Sequence, residues 1–167
     1  MAASTFSSAL PVLAGLALAG CAAYGPGAVQ TGQTAQQVAA SMGEPTGRHA
    51  LPQGGTRLEY ARGPMGKHTY MVDLGADGRV TGWQQVLTEP NLFAQAQPGV
   101  PVDTLLRELG HPSERRHGGW QGGEVWSYRY DAWGCLWFQV SVVGGQVKDA
   151  AQGIDPACDA GGNDKSE

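Results

Sequence analysis

The chain is short of charge, of cysteine and, past its first stretch, of long apolar runs. Only 16% of its 167 residues are charged, against 26 glycines and 10 prolines. That balance favours short strands broken by turns over long surface helices. The eleven Lys and Arg are scattered, Arg115-Arg116 being the densest pair, and the net charge is −4. Phosphate binding needs a basic surface, so the charge argues against a nucleic-acid partner. No stretch after residue 21 is apolar for long enough to cross a bilayer core of about 30 Å. A nucleophile elbow, a phosphate loop and paired carboxylates are all missing, so neither an enzyme nor a cofactor is expected.

What is present begins at the N-terminus. Residues 1–21 carry no charged side chain, and "ALPVLAGLALAG" at 9–20 is too short to span a membrane. A short apolar run ending in small residues reads as a secretory signal. Its ending, Leu18-Ala19-Gly20-Cys21, resembles the bacterial lipobox, in which cleavage precedes the cysteine and the thiol carries diacylglycerol. Residues 1–20 are then the signal, Cys21 the lipidation site, and 21–31 a Gly/Pro-containing tether. Each acyl methylene buried in lipid adds about 0.8 kcal/mol, so several chains anchor without any spanning helix. Ala22 follows the cysteine where an aspartate would signal retention, a pattern that resembles export to the outer membrane.

With Cys21 acylated, Cys135 and Cys158 remain. An oxidising envelope favours pairing them, which would pin the tail 153–167 against the preceding sheet. The alternative is two separate thiols.

The middle of the chain repeats. At an offset of 67, Gly32 falls on Gly99, Val38 on Leu105, Met42 on Leu109, Gly43 on Gly110 and Pro45 on Pro112. At 68, Leu58 meets Trp126, Tyr60 meets Tyr128, Tyr70 meets Phe138 and Val72 meets Val140. The offset returns to 67 at Gly78/Gly145 and Val80/Val147, with the slips in Gly-rich loops where length changes cost little. This is an internal duplication. Its units are 32–90 and 91–152.

Each unit opens with a helix and continues as a sheet. Thr34 and Gln37 form a capping box, and Ala35, Val38, Ala39 and Met42 share one face. Pro101 suits a first helical position ahead of Val102, Leu105, Leu106 and Leu109. Gly43 and Gly110 end the two helices, with proline two residues on. The period then becomes two: Leu58 and Tyr60 among polar neighbours, Tyr70, Val72 and Leu74, and in the second unit Trp126, Tyr128 and Tyr130. Such alternation predicts antiparallel sheets covered on one face. The fold class is therefore α+β: two tandem units, each a short helix followed by a three- to four-stranded antiparallel meander. Units of this size bury little alone, so the two are expected to pack together.

Lipobox, Gly-x-Thr, Met/Leu-Gly-x-Pro-Ser/Thr, an aromatic strand and a Gly-x-Val turn together resemble the BamE/SmpA/OmlA family of outer-membrane lipoproteins. The residues concerned are Gly32, Thr34, Val38, Gly43 and Pro45, with Gly99, Leu105, Gly110, Pro112, Trp126, Tyr128 and Gly145 in the second copy. The resemblance implies a small α+β domain related in shape to β-lactamase inhibitory protein, which itself holds tandem copies. It also implies a role beside the machine that inserts β-barrel proteins. The best-known member has one copy; this chain has two.

Candidate chemistry is sparse. His111, Glu114 and His117 have metal-ligand types but straddle Pro112 and read as solvated loop residues, so no metal is expected. Cys135 beside His117 or Asp131 would serve as a nucleophile only if its thiol were free. The aromatics are the unusual feature. If Leu136 and Phe138 face the core, Trp137 points the other way beside Gln139 and Ser141. An open Trp there, with Trp120 and Trp133 at Gly-rich loop tips, suits a partner-binding surface; the first copy or the tail could equally cover it. The expectation is a non-catalytic lipoprotein, lipid-anchored in the outer membrane and facing the periplasm, that binds an envelope protein such as a barrel-assembly subunit. The alternative is an inhibitor-like module that binds an envelope hydrolase.

Overall fold

In the computed structural model, residues 26–61, 66–118 and 122–159 are described. A 3-10 turn at Pro26–Ala28 leads to α1 (Ala35–Met42) and the strands β1 (Gly47–Ala50), β2 (Thr56–Tyr60), β3 (Tyr70–Leu74) and β4 (Val80–Gln85). Then come α2 (Glu89–Gln95), α3 (Val102–Leu109), β5 (Glu114–His117), β6 (Glu124–Arg129), β7 (Leu136–Val143), β8 (Gln146–Ile154) and α4 (Pro156–Asp159). The strands form two four-stranded antiparallel meanders, β1-β2-β3-β4 and β5-β6-β7-β8. The α+β tandem architecture is as expected, with four strands in each unit. No helix among the described residues is long and apolar enough to cross a membrane.

The duplication extends to individual hydrogen bonds. Gly32 N–H donates to Val80 O at 2.8 Å, and Gly99 N–H to Val147 O at 2.8 Å. Isolated bridges join Thr34 to Arg79 and Pro101 to Gln146. Leu58 lies opposite Val72, and Trp126 opposite Val140. Even the irregularities recur, with a register shift at Asp73/Leu74 and another at Ser141/Val142. Both helices end on glycine at φ 79°, a left-handed conformation that glycine adopts without the clash a Cβ would bring.

The helix starts differ. Thr34 Oγ1 accepts from Gln37 N–H at 3.3 Å while Gln37 Oε1 accepts from Thr34 N–H at 2.8 Å, the expected capping box. Pro101 is instead the residue before the first helical position, at φ −63° and ψ 144°, and leaves Val102 to begin α3. The extended ψ of Pro101 lets it bridge to Gln146.

The repeat also reaches further back than the sequence suggested. Val29, within the segment read as tether, is buried in the first core, and its counterpart Ala96 at the end of α2 is buried in the second. The described chain is therefore packed from Pro26 onward, and Pro26 is itself buried. At the other end β8 continues to Ile154, past the expected boundary at 152.

The first core comprises Val29, Val38, Leu58, Tyr60, Val72, Leu74 and Val80. The second is larger and reaches across the units: Met71, on the back of the first sheet, packs with Leu105, Leu109, Trp126, Tyr128 and Phe138. Leu105 and Leu109 are fully buried, each contributing about 1.5–3 kcal/mol. Helix α3 thus lies between the inner face of the second sheet and the back of the first. This corrects the expectation of one covered face per sheet: Arg57 and Glu59, which alternate with Leu58 and Tyr60, are also buried.

Candidate functional site

The sheet alternation turns Trp137 away from the core, as the sequence predicts, yet the ring is only 4% exposed. Of the two alternatives, an open anchor or a covered ring, the covered one holds. Its strand neighbours are Arg129 on β6 and Gly153 on β8. The guanidiniums of Arg116 and Arg129 each sit 5.7 Å from the indole centroid, close enough for a cation–π attraction. Gly153 leaves room for the ring, since a Cβ there would stand 3.2 Å from Trp137 Nε1. Arg129 is fixed by Asp155, through bonds of 2.5 and 3.2 Å. That guanidinium, helped by the N–H of Ala157, holds the Asp155 carboxyl below its ordinary range. The segment after β8 thus helps to cover Trp137. Gln139 is half-buried and donates to Ser127 Oγ at 3.3 Å. Trp120 lies outside the described residues, as does Cys21.

Trp133 is the exception among these aromatics, at 97% exposure. It stands on the β6–β7 connection, and both ends of that connection are tied down. At the start, Asp131 Oδ2 bonds His68 Nε2 of the first unit at 2.5 Å. At the finish, Cys135 is disulfide-bonded to Cys158 in α4, the pairing expected, with Cα atoms 6.3 Å apart. Cys135 O also accepts from Asp155 N–H at 3.1 Å. Cys135 takes φ 57°, a conformation that costs a residue with a Cβ roughly 1–2 kcal/mol. A cleft of about 350 Å³ opens beside the disulfide, between Tyr130, Ala132, Leu136 and Ala157. In this state the Cys135 sulfur is no thiolate nucleophile.

The back of the first sheet holds a buried polar clasp that sequence reasoning did not find. Arg57 reaches Asp73 through two bonds, Nε to Oδ1 at 2.7 Å and Nη2 to Oδ2 at 2.9 Å. Its Nη1 crosses to α3, donating to Glu108 Oε2 at 2.7 Å and Arg107 O at 3.1 Å. Asp73 above all, with Glu108, raises the Arg57 pKa despite its burial. Glu59, fully buried, receives the backbone N–H of His111 at 2.9 Å, together with the rings of His49 and His111. His111 therefore does not act with its sequence neighbours. Glu114 pairs with Arg116, and His117 lies 3.4 Å from Glu124. The only signal in the sequence was the alternation Arg57-Leu58-Glu59-Tyr60, which places both charges on one face without saying what covers it.

No family model matches the chain, and no curated protein does. Among solved structures, it is similar to the crystal structure of a DUF4309 family protein (YjgB) from Bacillus subtilis. The sequence identity is 20%, the match covers 72% of this chain and 76% of that one, and the TM-score is 0.26.

Proposed function

We propose that the protein is an outer-membrane-anchored lipoprotein that faces the periplasm and binds another envelope protein without catalysing a reaction. By its resemblance to the BamE/SmpA/OmlA family, the partner is a subunit of the barrel-assembly machine. Trp133 carries the reading. An indole left 97% exposed forgoes its burial energy, and here it sits on a connection held at both ends. Tryptophan is enriched among the few residues that dominate protein interfaces, and a fixed loop loses little entropy on docking. The cleft beside the disulfide, lined by Tyr130, Ala132 and Leu136 and also by Lys67, Arg129 and Asp155, offers a partner side chain both apolar and charged contacts. The Cys135–Cys158 bond suits an oxidising compartment, and Leu18-Ala19-Gly20-Cys21 supplies the anchor.

The test is capture from detergent-solubilised membranes by the tagged full-length chain. Trp133→Ala should lower recovery of a barrel-assembly subunit by more than about tenfold, since truncating an interface anchor costs about 2 kcal/mol or more. The fold should tolerate a change at so exposed a position. Failure to recover any such subunit with the unaltered chain, or equal recovery with the variant, would count against the reading.

A further inference from the structure

His49, Glu59 and His111 come from β1, β2 and the loop after α3, yet their ligand atoms all lie within 4.8 Å of one another. Nε2 of His49 is 2.9 Å from Glu59 Oε2, and Nδ1 of His111 is 2.8 Å from the same oxygen. Access is graded. The Glu59 side chain is 0% exposed, that of His49 14% and that of His111 49%.

The shared architecture does not require this trio. In the duplication, Glu59 corresponds to Ser127, His49 to Arg116 and His111 to Glu44. The second sheet is built without a buried acid at the equivalent place. The first sheet makes special room for one. A Cβ on Gly47 would stand 2.6 Å from Glu59 Oε2, and one on Gly110 would stand 2.9 Å from its Cδ. Taking a carboxylate out of water costs several kcal/mol, so a buried one needs strong partners.

We propose that His49 Nε2, the Glu59 carboxylate and His111 Nδ1 bind one divalent transition-metal cation of the zinc class, which joins the first sheet to the second unit. Two imidazoles and a carboxylate, with water in a fourth position, form a known zinc donor set. Imidazole donors favour zinc, copper, nickel or cobalt over magnesium and calcium. The half-exposed side of His111 provides both the entry path and the place for the water. Before an ion enters, His49 Nε2 and His111 Nδ1 each donate a hydrogen to the Glu59 carboxylate. Coordination turns the lone pairs of these nitrogens to the ion, so each neutral imidazole must carry its proton on the other ring nitrogen, a tautomer change. Tetrahedral bonds of about 2.0–2.1 Å set donor atoms about 3.3 Å apart, so each histidine nitrogen moves about 0.5 Å away from the Glu59 oxygen to admit the ion.

The experiment uses the full-length protein in detergent, stripped by chelator and titrated with Zn²⁺ by calorimetry and with Co²⁺ by visible absorption. One equivalent should bind, raise Tm, and give Co²⁺ the intense bands of a low-coordinate site. His49→Gln and His111→Gln should each weaken binding by more than about tenfold, because even the outer partners of a ligand are worth about 10- to 100-fold. His111→Gln removes a half-exposed ring and keeps the backbone bond to Glu59, so loss of binding there is not loss of the fold. Absence of saturable binding, or an unchanged affinity in either variant, would overturn the assignment.

Discussion

Replacing Arg57 by Ala is expected to destabilise the protein by about 3 kcal/mol, the lower end of the range for breaking a buried ion pair. The side chain is 10% exposed and meets two carboxylates and a carbonyl, from β3 and from α3. Its loss strands Asp73 and leaves Glu108 only its bond from Arg107 Nε, at 3.0 Å, at the junction of the two units. Their partial exposure, 28% and 26%, lets water relieve part of the cost and argues for the lower figure. Arg57→Lys should recover little, because one ammonium cannot replace a planar fork that bonds Asp73 twice while reaching Glu108. Arg48→Ala is the control. That residue faces Glu44 at 3.7 Å with both side chains more than half exposed, and such a pair is worth about 0.5 kcal/mol or less. Urea unfolding monitored by tryptophan fluorescence separates the two variants. Equal, small effects would show that the clasp does not hold the units together.

Loss of the Cys135–Cys158 bond is the second large effect expected. The cysteines are 23 residues apart, and a crosslink closing a loop of that order stabilises by roughly 3 kcal/mol. Reduction, or Cys135→Ser combined with Cys158→Ser, should lower Tm by roughly 10 °C. The damage should be local as well as global. Asp155, which fixes Arg129 over Trp137, lies three residues before Cys158, and Trp133 lies two before Cys135. Releasing the bond frees one end of the Trp133 connection and loosens the cover of Trp137. Partner capture should therefore fall along with Tm. An unchanged Tm after complete reduction would contradict this account of the loop.

How much of this was legible in the sequence depended on range. Gly43 and Gly110, the Thr34–Gln37 capping box and the alternation along β7 are local signals, and the fold follows them. The duplication added long-range information, because two copies with matched turns had to share one topology. Trp137 marks where this stops. A period of two says which way a side chain points, but the long arms of Arg116 and Arg129 decide whether it meets water. His111 shows the same limit. Its neighbours in sequence, Glu114 and His117, lead elsewhere, while its partner Glu59 is 52 residues away on the other unit. Arg57 and Glu59 read as a solvated face because nothing local records that α3 and its following loop settle on it. Helix α2 escaped notice as well. It has seven residues, and only Leu92 among them is buried, which is too little apolar periodicity to register.

The most direct measurement is photocrosslinking from position 133. Benzoylphenylalanine replaces Trp133 in the full-length chain, membranes are irradiated intact, and adducts are identified by mass spectrometry. The same probe at Ala76, exposed on the β3–β4 turn, is the comparison. A discrete adduct with one barrel-assembly subunit, formed from position 133 and not from position 76, is the predicted result. No adduct from position 133, or the same set from both positions, would contradict the claim that Trp133 is the anchor of a partner-binding module.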